Sequence, residues 1–266
     1  MRSIRGHHRK EHVRQESDGY SADDIPDRSR WQGRTHFRKG EARGSRRGGA
    51  RGFEGTLQEV NVAKLPPLRR DFYDRDPRRV SRDLLGKLLI RREDKRHLIA
   101  RIVEVEAYLE GDPAAHSFAG RTARNAVLFG PPGHAYVYFI YGNHWCFNVS
   151  CLPDGIAGGV LFRAAEPIEG IEAMAQARGI SLQLARNSRL LASGPGRLSE
   201  AFGITRLRDN NKDLTMPGSD LWLADDGCPR PKIATTVRIG LTKAAERPLR
   251  YVIRGNPFVS GKKVTP

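Results

Sequence analysis

The sequence predicts an α+β domain that follows a disordered basic tail, and three observations carry this prediction. Runs of β-branched and aromatic residues, the clearest being 135–150, have the composition of β-strands. Asp76-Pro77 and Glu166-Pro167 have the pattern of helix starts. Residues 1–62 contain few aliphatic side chains, too few to offset the entropy lost on ordering. We therefore expect the folded domain to span residues 63–266.

The charge of the chain indicates a polyanionic partner. The formal net charge is +16, and residues 1–52 hold 14 Lys and Arg against 7 Asp and Glu, so the rest of the chain is basic as well. Such a balance favours nucleic acid or an anionic membrane surface. Residues 43–52 resemble an Arg/Gly-rich segment. The tail is therefore either a non-specific nucleic-acid contact or a solvated extension without a role.

Several other classes of protein are excluded or disfavoured. No run of 18 or more apolar residues occurs, so we expect no membrane-spanning helix and no membrane partner. The basic N-terminus lacks the apolar segment of a secretory signal, so we expect an intracellular protein. The three cysteines form no C-x-x-C pair, which disfavours a zinc site or a disulfide framework. We expect no metal ligands and no cofactor.

The first elements of the domain follow from local signals. Asp76 is a helix N-cap, Pro77 suits the first helical position, and Gly86 ends the helix. A strand is predicted over 87–92, followed by a turn and a longer strand over 97–108.

The longer strand has an unusual face. Its two-residue period places Glu104, Glu106 and Tyr108 on the same side, opposite a face of Val and Ala side chains. Glu is a poor strand former. The face is therefore either a solvent-exposed surface with spare acids or a functional surface.

A long loop and a hairpin come next. Residues 111–133 show no clear periodicity, and loops of this length are usually functional or disordered. The hairpin 135–150 turns at Gly142-Asn143 and carries Tyr141 at its tip. Taken alone, this stretch is compatible with a core hairpin that has one exposed aromatic residue.

The remaining elements are predicted from composition. A buried strand is expected over 159–165, with Arg163 inside it, and a helix from Glu166-Pro167 onward. A helical segment over 182–203 is interrupted at 193–198, where a Gly-Pro-Gly turn opens a helix. Strand-like runs complete the chain at 221–223, 236–241 and 249–253.

Eight short blocks in this order resemble the alkyladenine (3-methyladenine) DNA glycosylase family. The resemblance extends over residues 68–261 and leaves the tail uncovered. The blocks are Arg101–Tyr108, Ala114–Ser117, Arg124-Asn125, Tyr136–Gly142, Phe147–Val149, Leu161–Pro167, Ser193–Pro195 and Arg247–Arg250. The resemblance implies a curved, mainly antiparallel sheet with surrounding helices and a protruding hairpin.

The resemblance also implies roles for individual residues. Glu106 matches the general base that activates water, and Arg163 matches a buried Arg beside it. The base pocket would be lined by aromatic and polar side chains that favour an alkylated, cationic purine, and Asn148 among them would help exclude normal purines. These pocket residues are Tyr108, His116, Tyr138 and Asn148.

Further implied roles concern the DNA. Tyr141 matches a residue that enters the space left by the flipped nucleotide. Thr122, Arg124 and Arg197 are candidates for phosphate contacts, although each is also compatible with a solvated surface. No Lys falls on a matched pocket position, so we expect a monofunctional enzyme that leaves an abasic site.

We therefore expect a monomeric enzyme that acts on double-stranded DNA containing alkylated or deaminated purines in base excision repair. One alternative is a non-catalytic nucleic-acid binder that uses the hairpin and the basic surfaces. Another is an RNA-binding module that depends on the tail. The set of Glu106, Tyr108, His116 and Arg163 argues against the first alternative, because a binder has no use for a carboxylate on a DNA-facing strand. Deletion of residues 1–60 would distinguish the second, which predicts loss of binding where we expect base excision to be retained.

Overall fold

The computed structural model of the protein describes residues 62, 65–94, 96–186 and 189–261. Within them an eight-stranded antiparallel sheet curls into a half-barrel and short helices pack against it, which confirms the predicted α+β class and the curved sheet. The predicted disordered tail, 1–62, lies outside the described residues except for Val62. No helix of the described part is long and apolar enough to cross a membrane.

The secondary-structure elements have the following bounds. The helices are α1 (Arg70–Tyr73), α2 (Pro77–Leu84), α3 (Ile171–Ala177), α4 (Leu182–Arg186), α5 (Pro195–Ala201) and α6 (Arg206–Asp209), with a 3-10 helix at Ala126–Phe129. The strands are β1 (Leu88–Glu93), β2 (Arg96–Tyr108), β3 (Ala135–Ile140), β4 (His144–Ser150), β5 (Gly159–Glu169), β6 (Leu221–Ala224), β7 (Ile233–Thr236) and β8 (Arg250–Ile253).

Strand β2 is the centre of the sheet. The order is β3-β4-β5-β2-β1-β6, and β8 pairs with both β2 and β7. The first part of β2 pairs with β1, whereas Glu104 to Glu106 pair with β8. The register between β2 and β5 shifts near Ile102 and Glu104, where the other neighbour of β2 changes from β1 to β8. Such irregularities bend a strand and increase its twist, which suits the curled sheet.

Helix α2 forms where the sequence predicts it. The side chain of Asp76 accepts a hydrogen bond of 2.8 Å from the Arg78 amide, and Pro77 occupies the first turn. Val80 and Leu84 are fully buried in the main core, which lies between the sheet and the helices. Burial of a side chain of this size stabilises the fold by roughly 1.5–3 kcal/mol.

The predicted helix at Glu166-Pro167 is wrong. Strand β5 continues through both residues to Glu169, and α3 begins only at Ile171 after Gly170, whose φ is +77°. The strand continues because it pairs with β2, where Pro167 lies opposite Ala100 beside a register shift. Pro tolerates such an irregular site, since an irregular ladder does not need its missing N–H.

The predicted strand 236–241 is also largely wrong, because β7 ends at Thr236. The next residues alternate in the manner of a strand, but their polar groups have other partners. Arg238 turns inward to Asp112, and the Ile239 amide donates to Glu106 instead of to a neighbouring strand. Gly240 then has a φ of +78°, which a strand does not allow.

Candidate active site

The two carboxylates of β2 are fully buried, which rules out the solvent-exposed alternative for this face. Glu104 accepts hydrogen bonds from Arg163 Nε at 3.0 Å and from Arg250 Nε at 2.7 Å. The amide and hydroxyl of Ser260 donate to it at 2.5 and 2.9 Å. Both oxygens of this carboxylate accept hydrogen bonds within the protein, so Glu104 is suited to hold other groups in place.

Glu106 has a different environment from Glu104. Its Oε1 lies 3.2 Å from Arg163 Nη1 and accepts a 2.8 Å hydrogen bond from the Ile239 amide. Its Oε2 accepts a 3.1 Å hydrogen bond from the Tyr108 hydroxyl. Burial raises the pKa of the Glu106 carboxyl above its ordinary value, against the opposing effects of the Arg163 charge and these hydrogen bonds.

Three adjacent strands form this cluster. Glu104 and Glu106 lie on β2, Arg163 on β5 and Arg250 on β8, so two carboxylates face two guanidinium groups. Arg163 contacts both carboxylates and therefore links them. Pairing of this kind is what allows charged groups to remain ionised out of water.

A cavity opens beside this cluster. Its empty space, including the open mouth, is about 590 Å³. Its walls are formed by Tyr108, Ala114, Ala115, His116, Ser117, Leu128, Tyr136, Tyr138, Ile140, Asn148, Gly158, Gly159 and Leu241. Glu106 lies behind this wall and reaches it through its hydrogen bond to Tyr108. The arrangement joins a buried carboxylate to a cavity that is lined in part by four aromatic rings.

His116 stands at the exposed rim of the cavity. Its Nδ1 lies 2.9 Å from the Tyr136 hydroxyl, and its ring lies edge-on to Tyr138, with centroids 4.4 Å apart. The buried Asn125 holds this loop by donating to the backbone oxygens of His116 and Gly120. Removal of water around the ring, with the nearby charge of Arg124, lowers the pKa of His116, so the ring is neutral at neutral pH.

Asn148 lies on β4 at the inner wall of the cavity. It is nearly buried, and its side-chain nitrogen donates to the Tyr136 carbonyl at 3.1 Å. This bond fixes the amide, so Asn148 is a rigid polar group in the wall of the cavity.

Tyr141 is the most exposed aromatic residue of the hairpin, at 79%. The turn is longer than predicted: β3 ends at Ile140, and Tyr141 itself lies in the turn with a φ of +55°. Non-Gly residues rarely adopt positive φ, and such strain is often found at functional sites. At the other end of the turn, His144 packs closely on α5, where a side chain at Gly196 would lie 2.8 Å from its ring.

The three phosphate-contact candidates occupy two separate places. Thr122 and Arg124 are exposed in the loop that Asn125 anchors, next to His116. Arg197 is exposed on α5, where its side chain donates to the Ser193 carbonyl at 3.4 Å. The structure thus brings the predicted catalytic and pocket residues together and leaves Arg197 on another element.

Sequence reasoning missed several residues of the site. Tyr136 lines the cavity and could have been identified, because it shares a strand face with Tyr138. The segment predicted as the strand 236–241 supplies three further groups, namely Leu241, Arg238 and the Ile239 amide. Nothing in its local sequence pattern indicates that it reaches the cavity or bonds to β2.

Comparison with known proteins identifies the family of the domain. Residues 71–257 match the family model described as methylpurine-DNA glycosylase. A protein of Koribacter versatilis named "Putative 3-methyladenine DNA glycosylase" is 61% identical over 208 residues, covering 78% of this chain and 99% of its own length.

Two further relatives carry the same name. The one from Methanoculleus marisnigri is 47% identical, covering 71% of this chain and 96% of its own length. The one from Rhodopseudomonas palustris is 46% identical, covering 73% and 90%. The chain therefore belongs to the methylpurine-DNA glycosylase family and is a DNA glycosylase, a hydrolase of N-glycosidic bonds.

Proposed function

We propose that this enzyme rotates alkylated or deaminated purines out of duplex DNA into the cavity and hydrolyses their N-glycosidic bond. The observation that carries the proposal is the buried Glu106 carboxylate, which is bonded directly to the cavity wall through Tyr108. Enzymes that act on a base within a duplex must first extrude it. The printed names of the relatives, which refer to 3-methyladenine, agree with a purine substrate.

The chemistry assigned to Glu106 is that of a general base. Its carboxylate takes a proton from water, the water oxygen bonds to C1′ of the sugar, and the C1′–N bond breaks with its electrons passing to the purine. A carboxylate also stabilises the positive charge that develops at C1′. We assign to Arg163 the role of orienting Glu106, because it contacts Oε1 at 3.2 Å and is itself held by Glu104.

We assign recognition of the damaged base to the cavity. Tyr108, His116 and Tyr138 offer aromatic surfaces that attract a purine made cationic by alkylation. Because Tyr136 occupies Nδ1 of His116, its Nε2 is the nitrogen left for the substrate. Asn148, fixed by the Tyr136 carbonyl, would hinder guanine through its exocyclic amine.

The assay that tests the reaction separates the free base from the strand. We expect duplexes that contain hypoxanthine or 3-methyladenine to release the free base and to leave an intact strand with an abasic site. None of the described residues that line the cavity is a lysine, in keeping with a monofunctional reaction. Strand cleavage without added alkali would refute that part of the proposal, and binding without base release would favour the non-catalytic alternative.

The pH dependence of excision should report the ionisation of the Glu106 carboxyl. A general base acts in its ionised form, so excision should be lost as the pH falls through the pKa of the carboxyl, by about tenfold per pH unit. Because burial raises this pKa, the midpoint of the acid limb should lie above the ordinary value of 4.5. Single-turnover rates between pH 4 and 8 measure it. A midpoint at or below the ordinary value would remove Glu106 as the titrating base.

We assign to Tyr141 the role of a wedge, which fills the space that the flipped nucleotide leaves in the duplex. We expect Tyr141→Ser to weaken binding to a lesion-containing duplex by about tenfold or more, because one ring–base stack is lost. Binding to single-stranded substrate, which has no stack to open, should change little. Leu184→Ser is the matched control, an exposed apolar residue on α4. Equal losses on both substrates would rule out the wedge.

The wider assignments concern the DNA backbone and the tail. Thr122, Arg124 and Arg197 are proposed to contact phosphates, which positions the enzyme without reading sequence. We propose that it acts as an intracellular monomer and that the domain 63–266 suffices for excision. Deletion of residues 1–62 tests this division, since an RNA-binding module dependent on the tail would lose its binding.

A further inference from the structure

The segment after β7 contains a buried arginine that the reaction described above does not use. The side chain of Arg238 is fully buried and forms an ion pair with the fully buried Asp112, through two hydrogen bonds, one of them 3.1 Å long. The same guanidinium donates to the Ala107 carbonyl at 3.1 Å and to the Ala244 carbonyl at 3.4 Å. Arg238 thus ties its own segment to the end of β2. We name this pair the Arg238–Asp112 clamp.

Arg238 lies next to two of the three groups that bond to Glu106. The Arg238 guanidinium lies 4.7 Å from the centroid of the Tyr108 ring, whose hydroxyl donates to Oε2 of Glu106. The residue that follows Arg238 is Ile239, whose amide donates to Oε1 of the same carboxylate at 2.8 Å. Each oxygen of Glu106 is therefore bonded to a group that contacts Arg238 or follows it in the chain.

General stability does not account for the clamp. Burial of two charges carries a desolvation cost that the attraction between them often fails to exceed, and an apolar pair of similar volume would stabilise the fold as well. What an Arg–Asp pair adds is a defined geometry. The planar guanidinium can bond Asp112 with two nitrogens while it stacks on an aromatic ring, which a lysine cannot do.

We propose that Arg238, held by Asp112, is a positioning residue that fixes the Glu106 carboxylate through the Tyr108 hydroxyl and the Ile239 amide. The proposal rests on the role of Glu106 as general base proposed above. Its consequence is that the orientation and ionisation of Glu106 depend on a residue that contacts neither water nor DNA in the reaction.

The test described below substitutes none of the other charged and titratable groups around Glu106, although Tyr108 is itself in contact with Arg238. Glu104 and Tyr108 lie on the same strand, and the remaining groups lie on β5, β8 and β4. These groups are Arg163, Arg250 and Cys146. Loss of the clamp also removes a charge that acts on Tyr108, so exchange of the Ile239 amide is the measurement that reports the hydrogen bond itself.

The test variant is Asp112→Asn combined with Arg238→Met. Removal of both charges avoids an unpaired buried ion, and Asn can still accept from the Ala114 amide as Asp112 does. The control is Asp209→Asn combined with Arg91→Met. That pair is equally buried and is also joined by two hydrogen bonds, but it connects β1 to α6.

Two measurements decide the proposal. Hydrogen exchange of the Ile239 amide should be at least about tenfold faster in the clamp variant, because that hydrogen bond opens. In single-turnover excision, the acid limb should move up by about one pH unit and the rate at neutral pH should fall about tenfold, because the carboxylate loses hydrogen bonds to its charged form. Arg238→Lys should fall between wild type and the clamp variant. The control should leave all three quantities unchanged.

An unchanged exchange rate together with a pH profile like that of wild type would overturn the proposal. Failure of the proposed function would be distinguishable from failure of the clamp proposal. If wild type released no base, the proposed function would fail, while exchange of the Ile239 amide would still test the clamp.

Discussion

Glu106→Gln should reduce single-turnover excision by about a thousandfold while the affinity for lesion-containing DNA stays within a few-fold of wild type. General-base catalysis contributes typically 10²–10⁴-fold, and the amide retains the shape of the side chain without accepting a proton. Gln can still accept from the Tyr108 hydroxyl or from the Ile239 amide, so the cavity should keep its form. Rate and affinity are measured separately, by quenched single turnover and by equilibrium binding.

Glu166→Gln provides the matched control. Glu166 lies on β5, pairs in register with Arg101 of β2 and accepts a hydrogen bond from Asn256, so the same chemical change occurs on the same sheet outside the cluster. Its excision rate should stay near that of wild type. Normal turnover by Glu106→Gln would exclude Glu106 as general base, and equal losses in both variants would indicate a general effect of removing a charge.

Arg163→Met should reduce excision at least a hundredfold and lower the free energy of unfolding by about 3 kcal/mol. Removal of one partner of a buried ion pair leaves the other unpaired, and Arg163 is shared by both carboxylates of β2. Without it, Glu106 is oriented by the Tyr108 hydroxyl and the Ile239 amide alone. The acid limb should also move upward, because a cation that favours the ionised carboxylate is gone.

Arg101→Met separates the two effects. Arg101 lies on β2, is partly buried and pairs with Asp226, outside the Glu104–Glu106 cluster. Chemical denaturation gives the stability of each variant, and single turnover gives its rate. Arg101→Met should lower stability with little change in excision. A loss of excision no larger in Arg163→Met than in Arg101→Met would mean that Arg163 serves stability alone.

Local signals predicted most of the fold. Helix α2, strand β2 and the hairpin are each specified by residues close in sequence, such as the N-cap Asp76 and the turn at Gly142. The errors at Glu166-Pro167 and at 236–241 have a common cause. In both places the backbone bonds to β2, more than sixty residues earlier in the chain, and that partner overrides the local pattern.

The sequence predicted about as much of the site as of the fold. A period of two placed Glu104, Glu106 and Tyr108 on one face, and the family resemblance gave that face a role. The clamp was not predictable, because Arg238 and Asp112 are 126 residues apart and neither lies in a recognisable motif. The burial of both carboxylates was likewise hidden, since it depends on guanidinium groups that β5 and β8 supply.

The central claim is that a damaged purine leaves the duplex and enters the cavity beside Glu106. The most direct measurement is a crystal structure of Glu106→Gln bound to a duplex that contains hypoxanthine. We expect the base to lie among Tyr108, His116 and Tyr138, with C1′ facing residue 106 and Tyr141 in the vacated space. A specific complex in which the lesion remains stacked in the duplex, or occupies a different surface, would contradict it.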